Sequence, residues 1–127
     1  MSGVKPRVLI AEDEPIISMM LEEFLLDAGC EVAATAQTLA AGLALASATE
    51  LDFAILDMSL GANSSFAIAD VLASRGIPFI FASGFGRDSL PEHHRGQMVL
   101  NKPFQYPDLV KSLNIALGGR FSLEEFF

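Results

Sequence analysis

Four short apolar runs, each broken off by polar residues, constrain this chain more than any other feature. The plainest is Phe53-Ala54-Ile55-Leu56-Asp57, with Asp52 before it and Ser59 and Gly61 after it. A run this short and apolar at every position suits a strand buried on both faces, the situation of a parallel sheet covered by helices. Arg7-Val8-Leu9-Ile10-Ala11 likewise delivers Glu12-Asp13-Glu14, and Pro78-Phe79-Ile80-Phe81-Ala82 delivers Ser83-Gly84. Met98-Val99-Leu100 delivers Asn101-Lys102. In open parallel sheets ligands bind beyond the carboxyl ends of the strands. Glu12, Asp13, Asp57, Ser83 and Lys102 are therefore expected to converge on one rim.

The segments between the runs read mostly as helices. Pro15 stands where a helix begins, and Ile16, Ile17, Met20, Leu21, Phe24 and Leu25 recur at helical spacing before Gly29. A weaker strand spans Glu31 to Thr35. Thr38 is placed to cap a helix carrying Leu39, Leu43 and Leu45. A loop of Ser59, Gly61, Asn63 and Ser64 leads to a helix from Ser65 to Arg75, with Ile68, Val71 and Leu72 inward. Residues 84–97 are the least regular, with a short helix near Ser89 to His94. Tyr106-Pro107-Asp108 opens the last helix, which carries Leu109, Val110, Leu113 and Leu117 and stops at Gly118-Gly119. Five strand–helix repeats with short connections predict an α/β sheet with helices on both faces. One domain is expected over residues 1–119, followed by an apolar, acidic tail over 120–127.

Charge narrows the function. Sixteen acids against eight bases give a net charge of −8, which argues against binding a phosphate backbone or an anionic membrane surface. The Leu39–Ala48 run is half of the roughly 20 apolar residues a bilayer span needs, and the stretch after Lys5 and Arg7 is too short for a signal-peptide core. The lone Cys30 is expected in the core. A cytoplasmic location, with no nucleic-acid or membrane partner, is the expectation.

Two carboxylates about 4 Å apart repel by about 4 kcal/mol at an effective dielectric near 20. Three of them on one rim therefore call for a proton or a cation. Hard oxygen ligands beside open water suit Mg²⁺. Lys102 adds a point charge and Ser83 a hydroxyl, which together with an attacking acid are the parts for phosphoryl transfer to a carboxylate. His93-His94, flanked by Glu92 and Arg95, is expected to be a solvated surface pair, because adjacent helical positions do not face each other. Asp52 is read as a turn residue without a partner.

Ala11-Glu12-Asp13-Glu14-Pro15, Ile55-Leu56-Asp57, Phe81-Ala82-Ser83-Gly84 and Asn101-Lys102-Pro103-Phe104 together resemble the signature stretches of response-regulator receiver domains. The resemblance runs from about Pro6 to Leu117. It implies a flavodoxin-like (CheY-like) five-stranded parallel sheet in order 2-1-3-4-5. It implies Asp57 as acceptor of a phosphoryl group from a histidine kinase, with Mg²⁺ held by Glu12, Asp13, Asp57 and the Ser59 backbone carbonyl. It further implies that Ser83 hydrogen-bonds a phosphoryl oxygen, that Lys102 pairs with the acyl phosphate, and that a cis peptide precedes Pro103. Such a domain promotes its own phosphorylation and dephosphorylation and is not an enzyme on other substrates. Its partners are the kinase and a downstream or phosphotransfer protein, and it is a monomer or weak dimer.

Three positions depart from the usual pattern. Glu12 replaces an aspartate, adding a methylene that favours a water-mediated ligand. Leu60-Gly61 stands where Met-Pro is common, and Val99 replaces the aromatic residue that serves as a rotating switch. The Phe-Ala-Ser-Gly-Phe-Gly run and Val99 resemble the FAT GUY receivers, which accompany kinases of the HWE or related type. Without the aromatic switch, signalling is expected to run through ordering of residues 84–97, with Phe85 and Ser59 flanking the phosphoryl group. A haloacid-dehalogenase-type phosphatase needs a second acid where Ser59 stands. A degenerate receiver, acting as a phosphorylation-independent interaction module, is the alternative.

Overall fold

The computed structural model describes residues 5–84 and 90–118. Its strands are β1 (Arg7–Ala11), β2 (Glu31–Ala36), β3 (Phe53–Asp57), β4 (Ser59–Leu60), β5 (Asn63–Ser64), β6 (Phe79–Ser83) and β7 (Val99–Asn101). Its α-helices are α1 (Pro15–Asp27), α2 (Leu39–Ala48), α3 (Phe66–Ser74) and α4 (Tyr106–Leu117). The five long strands form one parallel sheet in the order β2-β1-β3-β6-β7. Counted without the small β4–β5 pair, this is the expected order 2-1-3-4-5.

The alternation of side chains along each strand divides the core in two. Leu9, Ala11, Ala54, Leu56, Phe79 and Phe81 face α2 and α3, where Ala46, Ile68, Ala69 and Leu72 close over them. Val8, Ile10, Phe53, Ile55, Ile80 and Ala82 face α1 and α4, and pack with Leu21, Leu25, Leu109 and Leu113. All five residues of β3 are buried, because it is the middle strand with a helical layer on each side. Cys30 is buried as expected.

Helix ends follow local chemistry. Thr38 accepts a hydrogen bond from the Ala41 N–H (3.1 Å) and starts α2. At α4, Gln105 and Asp108 form a reciprocal capping box, with the Gln105 N–H donating to Asp108 (2.8 Å). Gly118, at φ 90°, ends α4.

Some expectations are corrected. The inward stripe of α1 is Ile17, Met20, Leu21, Phe24 and Leu25 without Ile16, which is 82% exposed; it sits about 100° around the helix from Ile17. The loop after Asp57 contains an antiparallel β4–β5 pair, Ser59 opposite Ser64 and Leu60 opposite Asn63. The short helix expected near Ser89 to His94 is a single 3-10 turn over Glu92–His94 among the described residues. The expected roles of Phe85, the Gly119 stop and the tail over 120–127 lie outside the described residues. Asp52 has a partner after all, since its carboxylate accepts the Arg7 N–H at 2.8 Å and ties β1 to the start of β3.

Candidate functional site

The chain visits β1, moves outward to β2 and returns past β1 to β3. The gap between β1 and β3 is thus the topological switch point, where open α/β sheets bind ligands. Backbone hydrogen bonds continue the ladders past the strand ends at this rim. The Glu12 N–H donates to Ala36 (2.9 Å), the Met58 N–H to Ala82 (3.1 Å) and the Lys102 N–H to Ser83 (2.8 Å). Each functional side chain therefore leaves a fixed backbone.

Lys102 is the centre of the polar cluster. Its Nζ donates to Asp57 Oδ2 at 3.0 Å and to Glu12 Oε1 at 3.1 Å. The second oxygen of Asp57 accepts the Ser59 N–H (3.2 Å), and that of Glu12 accepts the Glu14 N–H (3.1 Å). Asp13 Oδ2 accepts the Gly61 N–H at 2.9 Å, which ties the loop after β1 to the β4–β5 turn. Gly61 has a φ of 64°. The Pro common at this position lacks the N–H and cannot adopt that angle, so the departure supplies Asp13 with a donor.

Asp13, Asp57, Ser59, Ser83 and Lys102 line one pocket of about 260 Å³, together with Glu14, Met58 and Gly84. Glu12 is buried beneath it, 1% exposed, and joins the pocket through Lys102. Its longer side chain reaches Lys102 directly. The Lys102–Pro103 peptide is cis.

The electrostatics match an excess of acid over base. Burial first, then the hydrogen bond and charge of Asp57, push the Glu12 carboxyl from 4.5 up to about 7, against the pull of the Glu14 N–H and Lys102. Burial works against the Lys102 ammonium, yet its bonds to Asp57 and Glu12 outweigh that and raise its pKa. Carboxylate oxygens of Glu12, Asp13 and Asp57 lie within 4.8 Å of one another. An all-oxygen donor set beside an open pocket fits a hard cation that keeps part of its water shell, as Mg²⁺ does.

A second polar cluster was not anticipated. His93 and His94 do not form a solvated pair: His94 is only 3% exposed, and both rings reach Asp70 of α3. The 3-10 turn brings their ring centroids to 4.1 Å, and an aromatic wall of Phe66, Phe79 and Phe81 buries His94. No sequence signal linked Asp70 to a pair more than twenty residues away.

Comparison with known proteins agrees with this geometry. The model of the response regulator receiver domain matches residues 8–114. The transcriptional regulatory protein PdtaR of Mycobacterium tuberculosis is 33% identical over 120 residues, covering 91% of this chain and 58% of PdtaR. This chain thus spans less than two-thirds of that relative. The solution structure of SdrG from Sphingomonas melonis Fr1 is 42% identical, with a TM-score of 0.80 over 92% of this chain and 99% of SdrG. The BeF3-activated conformation of SdrG, from Pseudomonas melonis Fr1, is 44% identical, with a TM-score of 0.72 over 92% of this chain and 98% of that one. The anti-anti-sigma factor PhyR from Bartonella quintana is 28% identical, with a TM-score of 0.73 over 91% of this chain and 47% of PhyR.

Proposed function

From the premise that this chain belongs to the response regulator receiver domain family of two-component signalling, we propose that Asp57 accepts a phosphoryl group from a histidine kinase. The observation that carries the reading is the Lys102 ammonium 3.0 Å from Asp57 Oδ2, inside a pocket with room for a phosphoryl group. An Asp57 oxygen attacks phosphorus, a P–O bond forms, and the bond from phosphorus to the kinase imidazole breaks, returning that ring with its electron pair.

The chain's own groups serve this step in different ways. Lys102 offers charge to the oxygens that gain it, and Ser83 offers its hydroxyl from the end of β6. The Ser59 N–H fixes one Asp57 oxygen, which limits how the carboxylate turns. Glu12, Asp13, Asp57 and the Ser59 carbonyl would hold Mg²⁺, which supplies positive charge against the phosphoryl oxygens when bound. The acceptor is modified and later loses the group, without turnover of another substrate.

The output is a protein contact in the cytoplasm. An acidic chain of this kind suits a protein partner better than nucleic acid. The Bartonella relative is an anti-anti-sigma factor by name, which supports an anti-sigma factor or similar regulator as a downstream partner. Val99 and the Phe-Ala-Ser-Gly run, through their likeness to the FAT GUY receivers, support a kinase of the HWE or related type.

The test is mass spectrometry after incubation with a small acyl-phosphate donor. A gain of one phosphoryl unit is expected with Mg²⁺, and none with a chelator or in Asp57→Asn. Unmodified wild-type protein under these conditions would instead support the phosphorylation-independent interaction module.

A further inference from the structure

The Asp70–His93–His94 cluster takes no part in the chemistry assigned to Asp57. His93 Nε2 lies 3.0 Å and His94 Nε2 lies 2.8 Å from the same oxygen, Asp70 Oδ1. The three potential ligand atoms all lie within 4.8 Å of one another. The geometry points to a second metal site here, for a zinc-class divalent ion that prefers imidazole, held by Asp70, His93 and His94.

For both rings to bond one carboxylate oxygen, each Nε2 must carry its hydrogen. Two N–H groups aimed at one oxygen form the array that a cation replaces: each neutral ring shifts its proton from Nε2 to Nδ1 and turns the freed lone pair on the ion. Zinc takes imidazole nitrogen at about 2.0–2.1 Å, which puts atoms of a tetrahedral shell about 3.4 Å apart. The two observed N···O spacings, 3.0 and 2.8 Å, need widen by only about half an ångström to reach it.

The surroundings favour the same conclusion. The His94 side chain is 4% exposed, while those of His93 and Asp70 are 61% and 55% exposed. One ligand is thus held against the edges of Phe79 and Phe81, and the other two leave an open position toward solvent. Imidazole nitrogens select zinc, nickel or copper over magnesium. The two sites therefore sort different ions.

Zn²⁺ titrated into tag-free protein in excess Mg²⁺, against a chromophoric chelator, tests the site, with Co²⁺ as a spectroscopic substitute. One equivalent of Zn²⁺ is expected, with a tetrahedral Co²⁺ visible spectrum. Asp70→Asn and His93→Gln should each weaken Zn²⁺ binding by at least about tenfold, and both positions are exposed enough to spare the fold, as far-ultraviolet circular dichroism would verify. Asp57→Asn should bind Zn²⁺ as the wild type does. Absence of binding, binding unmoved by Asp70→Asn and His93→Gln, or binding lost in Asp57→Asn would each overturn the site. None of these outcomes bears on phosphoryl acceptance at Asp57.

Discussion

The two rims of the sheet handle charge in opposite ways. At the rim where the strands begin, charges meet opposite charges or backbone groups. Arg7 pairs with Glu31 and donates to the Glu50 carbonyl (2.9 Å), Asp52 accepts the Arg7 N–H, and Arg75 donates to the Thr49 carbonyl (2.9 Å). At the rim where the strands end, Lys102 faces Glu12 and Asp57, with Asp13 close by. The first rim is satisfied as it stands. The second carries surplus negative charge, and burial together with Asp57 raises the Glu12 carboxyl to about 7.

Removing the cation from each rim should separate them most. Lys102→Met strands a buried acid pair and is expected to lower stability by about 3 kcal/mol in urea titrations above the Glu12 titration range. Arg7→Met breaks an exposed pair and should cost less than about 1 kcal/mol. Equal losses would erase the distinction.

The pH dependence sharpens it. Glu12 has an ordinary value of 4.5 and is pushed to about 7 in the folded chain. Between those values the folded state binds a proton that the unfolded state has released. The contribution is full below about 4.5 and drains as pH rises through 7, by on the order of 3 kcal/mol in all. Thermal melts without divalent ions should show this slope, and Glu12→Gln should flatten it. A slope that survives Glu12→Gln would place the surplus charge elsewhere.

Gly61→Pro removes the donor to Asp13 and forbids the observed φ. A loss of about 2 kcal/mol is expected, with weaker Mg²⁺ binding by calorimetry. Unchanged Mg²⁺ affinity would free Asp13 from dependence on the β4–β5 turn. Asp57→Asn should produce a small change of opposite sign. By removing a like charge beside Glu12 it should stabilise the metal-free chain by about 1 kcal/mol, measured by chemical denaturation.

Much of this was legible in the residues. Each apolar run ends in the side chain that the rim displays, so strand patterning alone located Glu12, Asp13, Asp57, Ser83 and Lys102. The sheet order came with the family resemblance. The β4–β5 pair escaped notice because Ser59, Asn63 and Ser64 carry no apolar alternation, and the Gly61 donor depends on that turn. Ile16 was misplaced because one apolar neighbour on a helix looks much like the next. His94 was misjudged because its cover comes from Phe66, Phe79 and Phe81, contributed by α3 and β6 and invisible in its polar neighbourhood.

The bond between Lys102 and Glu12 joins residues 90 positions apart, and the strands bearing Asp57 and Ser83 lie between them in the sheet. The clasp therefore cannot exist on an incomplete chain. A polypeptide still emerging from the ribosome, or one locally unfolded at either of these strands, lacks the assembled cluster of Glu12, Lys102 and Asp57. On the role proposed for Asp57, competence to receive the signal doubles as a certificate of correct folding, issued only when β1 and β7 have taken their places on either side of β3 and β6.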